Sequence, residues 1–114
     1  MEFNRIPLFF TIVWSGIILY FSIKLLPGAE VIDDKSMHIF SYFVLAVLIF
    51  FTIKENSGAI VYSILASFAY GLIMEIVQLY VPGRSASLAD AAANLIGAVL
   101  VTAVKHGIEN LAER

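Results

Sequence analysis

The sequence predicts an all-α membrane protein, a polytopic bundle of four transmembrane helices in a single domain that spans residues 1–114. The chain is 61% hydrophobic and 14% charged, whereas a soluble domain carries about 25% charged residues. A chain this short cannot bury so much apolar surface in one aqueous core, so lipid must cover the rest. The apolar residues also fall into separate segments of about the 20 residues that a spanning helix needs.

The first apolar segment is Pro7–Leu26. Proline suits the first turn of a helix, and the Pro27-Gly28 sequence that follows ends it. The sequence Pro27-Gly28-Ala29 is a poor site for a signal peptidase, and Arg5 alone makes a thin positive region before the segment. We therefore expect a membrane helix rather than a cleaved signal peptide.

The other predicted helices are Lys35–Ile53, Ala59–Val81 and Leu88–Val104. An aspartate at position 33 or 34 is the expected N-cap of the second helix. Pro82-Gly83 ends the third helix. The connections between the segments are short, which places consecutive helices side by side and antiparallel.

The orientation follows from the basic residues near the helix ends, because cytoplasmic loops carry an excess of Lys and Arg. The side that holds both termini has one more basic residue than the other side, so we expect a multi-pass protein with both termini in the cytoplasm. The basic residues of the terminal side are Arg5, Lys54, Lys105 and Arg114, and those of the other side are Lys24, Lys35 and Arg84.

Most polar residues within the apolar segments lie towards one membrane surface. Antiparallel order brings together the start of the second helix, the end of the third and the start of the fourth. At about 1.5 Å per residue, the polar residues of these ends reach similar depths. We predict that they form one polar binding site, whose members are Asp34, Lys35, His38, Tyr42, Glu75, Gln78, Arg84, Asp90 and Asn94.

Small residues indicate which helix faces pack against protein. Ser63, Ser67 and Gly71 precede Glu75 at a strict spacing of four residues, and such stripes mark packed faces in membranes. Glu75 is therefore expected to face the bundle, where an ionisable residue usually marks a functional site. The fourth segment has a similar stripe, formed by Ala89, Ala93 and Gly97.

Each of these residues also has a purely structural interpretation. Asp34 can simply cap the second helix, and Asp90 can act within a capping box that begins at Ser87. Asn94 can serve as a hydrogen bond between helices. Glu75 can form a structural ion pair with Arg84 or with His38.

The polar pattern resembles the VanZ-like family of bacterial membrane proteins. The resemblance rests on Asp34-Lys35-x-x-His38-x-x-x-Tyr42, Glu75-x-x-Gln78, Pro82-Gly83-Arg84 and Asp90-x-x-x-Asn94-x-x-Gly97. It implies a location in the bacterial plasma membrane. The family's namesake is linked to low-level resistance to the glycopeptide antibiotic teicoplanin, so the resemblance supplies a phenotype and no reaction.

Two functions from different classes remain open. A polar site at the outer leaflet could bind or transport an amphipathic or anionic molecule of the cell envelope, with Arg84 holding a phosphate or carboxylate. Alternatively the protein could be an enzyme acting on a lipid or envelope intermediate, with His38, Glu75 and Asp90 as divalent-metal ligands or Glu75 as a general acid or base. A third interpretation is a small structural subunit of a membrane complex.

Composition narrows the partners. The chain has no cysteine, which excludes disulfides, thiolate metal sites and cysteine nucleophiles. A net charge of −2 gives no basic surface for nucleic acid. We expect membrane lipids as partners, together with an envelope precursor or lipid ligand, and we expect no cofactor. Homo-oligomerisation through the small-residue faces stays open.

Overall fold

The computed structural model describes residues 2–23, 34–82 and 87–113. These ranges contain helices and turns and no strand, so the predicted all-α fold is confirmed. The helices are α1 (Arg5–Ile23), α2 (Asp34–Ile53), α3 (Ala59–Gln78), α4 (Leu88–Val99) and α5 (Val101–Ala112).

Helices α4 and α5 form one nearly continuous rod. Leu100, which separates them, keeps right-handed helical dihedral angles of φ −61° and ψ −16°. Its N–H group donates to the carbonyl groups of both Ile96 and Gly97 at 3.2 Å, a local tightening of the kind that is common at helix ends. The described chain therefore has four helices that are long and apolar enough to cross a membrane, the last being Leu88–Ala112.

The helix bounds differ from the sequence-based ones at several ends. Helix α1 begins at Arg5 rather than Pro7, and its predicted end at Leu26 lies outside the described residues. Helix α3 ends at Gln78 rather than Val81, because the next N–H groups make shorter-range turn bonds instead of helical ones. The last helix continues eight residues past Val104, to Ala112. The polar residues after Val104 end the apolar segment, but they can remain helical outside the lipid.

Helix α2 is central to the bundle, because it contacts α1, α3, α4 and α5. Helix α1 lies at the periphery, where only Ile18 and Ser22 are buried. Large apolar side chains on the outer faces of the helices are exposed, among them Phe9 at 60% and Leu65 at 57%. Soluble monomers rarely expose so much contiguous apolar surface. The four apolar helices thus belong to a multi-pass membrane protein.

Side chains from two neighbouring helices hold α2 near its middle. The indole N–H of Trp14 in α1 donates to the backbone carbonyl of Ser41 at 2.9 Å. From the other side, the hydroxyl of Ser67 in α3 donates to the backbone carbonyl of Tyr42 at 3.1 Å. Such hydrogen bonds help to hold helices together in a membrane, because apolar side chains gain little by leaving lipid for an equally apolar helix surface.

A second set of polar contacts fixes one end of the bundle. The backbone N–H of Asn4 donates to the carbonyl of Thr52 at 2.8 Å, and its side-chain amide donates to the carbonyl of Phe51 at 2.8 Å. Nearby, the N–H of Glu2 donates to the side-chain oxygen of Asn56 at 2.9 Å. The start of the chain is thereby attached to the turn between α2 and α3.

The opposite end of the bundle carries the polar residues. Val101, at the start of α5, packs with Ile53 and Ala59 near the α2–α3 turn. Because α4 precedes α5, the beginning of α4 must lie at the far end, beside the beginning of α2 and the end of α3. The fold therefore brings the predicted site residues of three helices to one level.

Candidate functional site

Three ionisable side chains from three helices converge at this end of the bundle. His38 of α2, Glu75 of α3 and Asp90 of α4 each offer one nitrogen or oxygen atom, and these atoms lie within 4.8 Å of one another. Glu75 is 8% exposed and Asp90 is 7% exposed. Their convergence was expected from the matched depths of the residues, and burial of two carboxyl groups among apolar helices is costly unless they have partners.

A close approach of two backbones sets the geometry between α2 and α4. A Cβ atom at Gly97 would collide with the backbone carbonyl of Ile39, so only glycine allows the two helices to lie this close. Asn94 lies three residues before Gly97, and His38 is adjacent to Ile39. The contact therefore brings Nδ1 of His38 within 2.6 Å of Oδ1 of Asn94.

Helix α3 gives Asn94 its space through a second glycine. A Cβ atom at Gly71 would lie 2.8 Å from Nδ2 of Asn94 and 3.2 Å from the ring of Tyr42. Tyr42 is buried, and its ring stacks against the imidazole of His38, with centroids 6.4 Å apart and planes at 7°. Asn94 and Tyr42 thus hold the His38 ring in one orientation.

Ser87 connects α3 to the beginning of α4. It is the N-cap of α4, and its hydroxyl accepts a hydrogen bond from the N–H of Asp90 at 3.0 Å. In a full capping box the acid three residues later would accept the N–H of the capping residue. Here the N–H of Ser87 instead donates to Oε2 of Glu75 at 3.1 Å. Glu75 takes that role, and the carboxylate of Asp90 faces other partners.

Those partners belong to α2. Oδ1 of Asp90 lies 3.6 Å from the ammonium nitrogen of Lys35, and Oδ2 lies 4.0 Å from Nε2 of His38. The Lys35 side chain is 58% exposed, so it belongs to the mouth of the site rather than its interior. The Asp90 carboxylate therefore links α4 to α2 instead of completing the capping box.

Other predicted site residues have different positions. The side-chain amide of Gln78 donates to the backbone carbonyl of Ser22 in α1 at 3.3 Å, which places Gln78 in a contact between α3 and α1. Asp34 is the first residue of α2, but its side chain lies outside the described part of the structure. Arg84 also lies outside the described residues, in the sequence between Pro82 and Ser87.

The two predicted packing faces have different outcomes. Ser63, Ser67, Gly71 and Glu75 are all buried along α3, which confirms that face. On α4 the predicted stripe is wrong at its start, because Ala89 is exposed. The buried face of α4 is instead formed by Asp90, Ala93, Asn94, Gly97 and Ala98. It is turned towards α2 by the Gly97 contact.

The sequence interpretation missed two contacts. It treated Ser87 only as a cap, and the bond from its N–H to Glu75 joins positions twelve residues apart that no local pattern connects. It assigned no polar role to the first helix, although Ser22 accepts from Gln78. A serine near the end of an apolar segment was the available signal.

The arrangement combines an imidazole, two carboxyl groups and a carboxamide in a confined space. Among the described residues, every buried side-chain nitrogen or oxygen atom has a hydrogen-bond partner. Such a set can exchange protons, hold a cation, or bind a polar head group at the mouth of the site. These capabilities are compatible with both functions that the sequence left open.

Comparison with known proteins identifies the family. The family model described as VanZ/LLP1 matches residues 6–106, a range that includes His38, Glu75 and Asp90. The comparisons with curated proteins and with solved structures give no match. Because the family match covers most of the chain, from α1 to α5, the protein belongs to the VanZ/LLP1 family.

Proposed function

We propose that this VanZ-like membrane protein binds or handles an amphipathic, anionic molecule of the cell envelope at the end of the bundle where α2, α3 and α4 meet. The observation that carries the proposal is the convergence of His38, Glu75 and Asp90 within 4.8 Å. Ionisable residues are rare in membrane segments and are retained mainly where a substrate, ion or proton passes. A structural ion pair requires only two ionisable groups, whereas three converge here, one from each of α2, α3 and α4.

An amphipathic ligand fits the distribution of polarity around the site. The cluster is buried in the bundle, while Lys35 at its mouth is 58% exposed. Apolar side chains close in sequence to Lys35 and Asp90 are exposed, among them Met37 at 51% and Leu88 at 89%. A ligand could keep its hydrocarbon part in the lipid against these residues and extend its head group towards Lys35.

Positive charge at the mouth favours an anionic head group. Lys35 supplies one cation, and Arg84 lies in the connection between Pro82 and Ser87. A guanidinium group matches phosphate or carboxylate through paired hydrogen bonds. Asp34, also at the start of α2, belongs to the proposed binding residues together with Lys35, His38, Tyr42, Glu75, Gln78, Asp90 and Asn94.

The proposed location is the bacterial plasma membrane with the site at its outer surface. This orientation follows from the distribution of Lys and Arg between the two sides of the bundle. An outward site would have access to lipid-linked envelope precursors, which are amphipathic and anionic. A contribution to glycopeptide resistance, as for the family's namesake, is part of the same proposal.

An enzyme acting on a lipid or envelope intermediate is the second candidate function. The observation that favours it is again the His38, Glu75 and Asp90 cluster, because one histidine and two carboxylates can serve as metal ligands or in proton transfer. A binding protein would release its ligand unchanged, whereas an enzyme would return a product of different mass. Incubation with extracted envelope lipids followed by mass spectrometry separates the two.

The test of the binding proposal is lipid retention by purified protein. Native mass spectrometry of the wild-type protein from bacterial membranes should show a bound anionic lipid at a defined stoichiometry. Lys35→Met should lose most of this lipid, since it removes a cation from the mouth. Arg84→Gln should do the same, since it removes a guanidinium group that matches phosphate or carboxylate. Lys54→Met is the matched control, because Lys54 lies in the exposed α2–α3 turn at the other end. Equal retention by all variants would contradict the proposal.

A further inference from the structure

We propose that His38, Glu75 and Asp90 bind one divalent transition-metal ion, of the Zn²⁺ or Mn²⁺ type, within the bundle. The metal site stands on its own geometry. Only its assigned role, to neutralise the site for an anionic head group, rests on the proposed function.

The ligand atoms lie near the positions that such an ion requires. Zinc bonds to histidine nitrogen and carboxylate oxygen are about 2.0–2.2 Å long, which separates neighbouring tetrahedral ligand atoms by about 3.4 Å. Nε2 of His38 and Oδ2 of Asp90 are 4.0 Å apart, and the Glu75 oxygen completes a set within 4.8 Å. Small rotations of side chains that come from three different helices would close the set around an ion.

The partner of His38 selects the nitrogen that would face the metal. Oδ1 of Asn94 can only accept a hydrogen bond, so Nδ1 of His38 at 2.6 Å carries the proton. On binding a metal, the ring would present the lone pair of Nε2, the nitrogen that lies 4.0 Å from Oδ2 of Asp90. Metal-binding histidines almost always donate their second ring nitrogen to an oxygen in this way, which fixes the ring orientation.

The cap of α4 leaves Asp90 available as a ligand. Ser87 satisfies the N–H of Asp90 through its hydroxyl and directs its own N–H to Glu75. The Asp90 carboxylate therefore remains directed towards α2, and the bond from Ser87 orients the Glu75 carboxylate. A ligating carboxylate is commonly held by such an outer hydrogen bond.

The charge of the cluster gives the ion a role. The carboxylates of Glu75 and Asp90 bring negative charge close to the place where an anionic head group would bind, and a divalent cation between them would offset that charge. A divalent cation with three protein ligands keeps open coordination positions. A phosphate or carboxylate of the ligand could occupy one of these positions, which would place the head group between the ion and Lys35.

The test measures metal alone. Protein in detergent, freed of metal with a chelator, is titrated with Zn²⁺, Mn²⁺ and Mg²⁺, and bound metal is counted after gel filtration. We expect one Zn²⁺ or Mn²⁺ per chain and much weaker Mg²⁺ binding, because imidazole is a poor ligand for Mg²⁺. Asn94→Ala should weaken binding by about 10–100-fold, and His38→Gln should weaken it further.

Two variants keep the test decisive if those changes disturb folding. Lys35→Met removes a competing cation from an exposed position 3.6 Å from Asp90, so metal affinity should rise several-fold. His106→Gln, at the exposed second histidine of the chain, should leave binding unchanged. Binding that is absent in the wild type, equal in His38→Gln, or not tighter in Lys35→Met would overturn the metal site.

The failures of the two proposals are distinguishable. Lipid retained by a protein that binds no metal would overturn the metal site and leave the binding function intact. Metal bound at one ion per chain without any retained lipid would support the metal site and contradict the binding function. Chelation that releases both metal and lipid would support the bridging role.

Discussion

Gly97 of α4 lies directly against the backbone carbonyl of Ile39 in α2, in space that a side chain would need. This contact determines how near the two helices approach, and with it the 2.6 Å contact between His38 and Asn94. The site therefore depends on a residue that has no polar side chain. Small residues serve the same purpose in many membrane helix pairs.

Gly97→Ala should destabilise the protein and damage the site together. The added methyl group meets backbone atoms, which cannot rotate away, so α4 must move outward. We expect a loss of about 1–3 kcal/mol in the free energy of unfolding, as for other overpacked positions, measured by thermal melting in detergent. Gly107→Ala is the control, because a Cβ atom there meets open space and alanine favours the helix by about 0.5–1 kcal/mol. Equal melting temperatures for the two variants would contradict this account.

Asn4→Ala should lower stability without affecting the site. The change removes two hydrogen bonds that the side-chain amide of Asn4 donates, one to the Phe51 carbonyl and one to the Glu55 carboxylate. Each is worth about 0.5–1.5 kcal/mol. The expected cost in unfolding free energy is therefore about 1–3 kcal/mol. Because the contacts lie at the opposite end of the bundle, lipid and metal binding should be retained. Asn110→Ala, at an exposed position of α5, serves as the matched control for the melting measurement.

The orientation can be tested with single cysteines, because the natural chain has none and gives no background labelling. Ser57 is preferable to Gly58 in the α2–α3 turn, since Gly58 has a φ of 76° that a cysteine would strain. In intact cells, an impermeant maleimide should label Ser85→Cys and should label Ser57→Cys only after permeabilisation. The reverse pattern would place the site on the cytoplasmic side.

Much of the fold could be predicted from hydropathy, because lipid demands about 20 apolar residues per span and a helical backbone. The same reasoning failed at the C-terminal helix. It ended the last segment at Val104, whereas Lys105 and Glu109, 3.7 Å apart, continue the helix beyond the apolar part. Hydropathy reports where lipid ends, and helix ends depend on local backbone bonding instead.

The site was only partly predictable. Helical spacing and matched depth in the sequence predicted that His38, Glu75, Asp90 and Asn94 lie together. They could not show that Gln78 contacts Ser22 in α1, because rotation of a helix about its axis depends on which neighbour it packs against. Nor could they show that Glu75 accepts the N–H of Ser87, which requires the loop and the helix end to be seen together.

The last prediction concerns Glu75 and Arg84 and separates a functional from a structural role. In the wild-type protein the N–H of Ser87 donates to Oε2 of Glu75 at 3.1 Å. Glu75→Gln deletes the charge but keeps an oxygen that can accept this hydrogen bond. We expect Glu75→Gln and Arg84→Gln each to melt near the wild-type temperature and each to lose ligand binding and any resistance phenotype. Glu109→Gln, an exposed glutamate on α5, should change neither property.

The double variant decides between the two roles. If Glu75 and Arg84 form a structural ion pair, either single change leaves a buried charge without its partner and costs about 3–5 kcal/mol. Combining Glu75→Gln with Arg84→Gln would then restore the melting temperature, since neither charge remains. If both residues serve a ligand, the single changes cost little stability and the double variant stays inactive. Recovery of both stability and binding in the double variant would therefore contradict the functional assignment of Glu75.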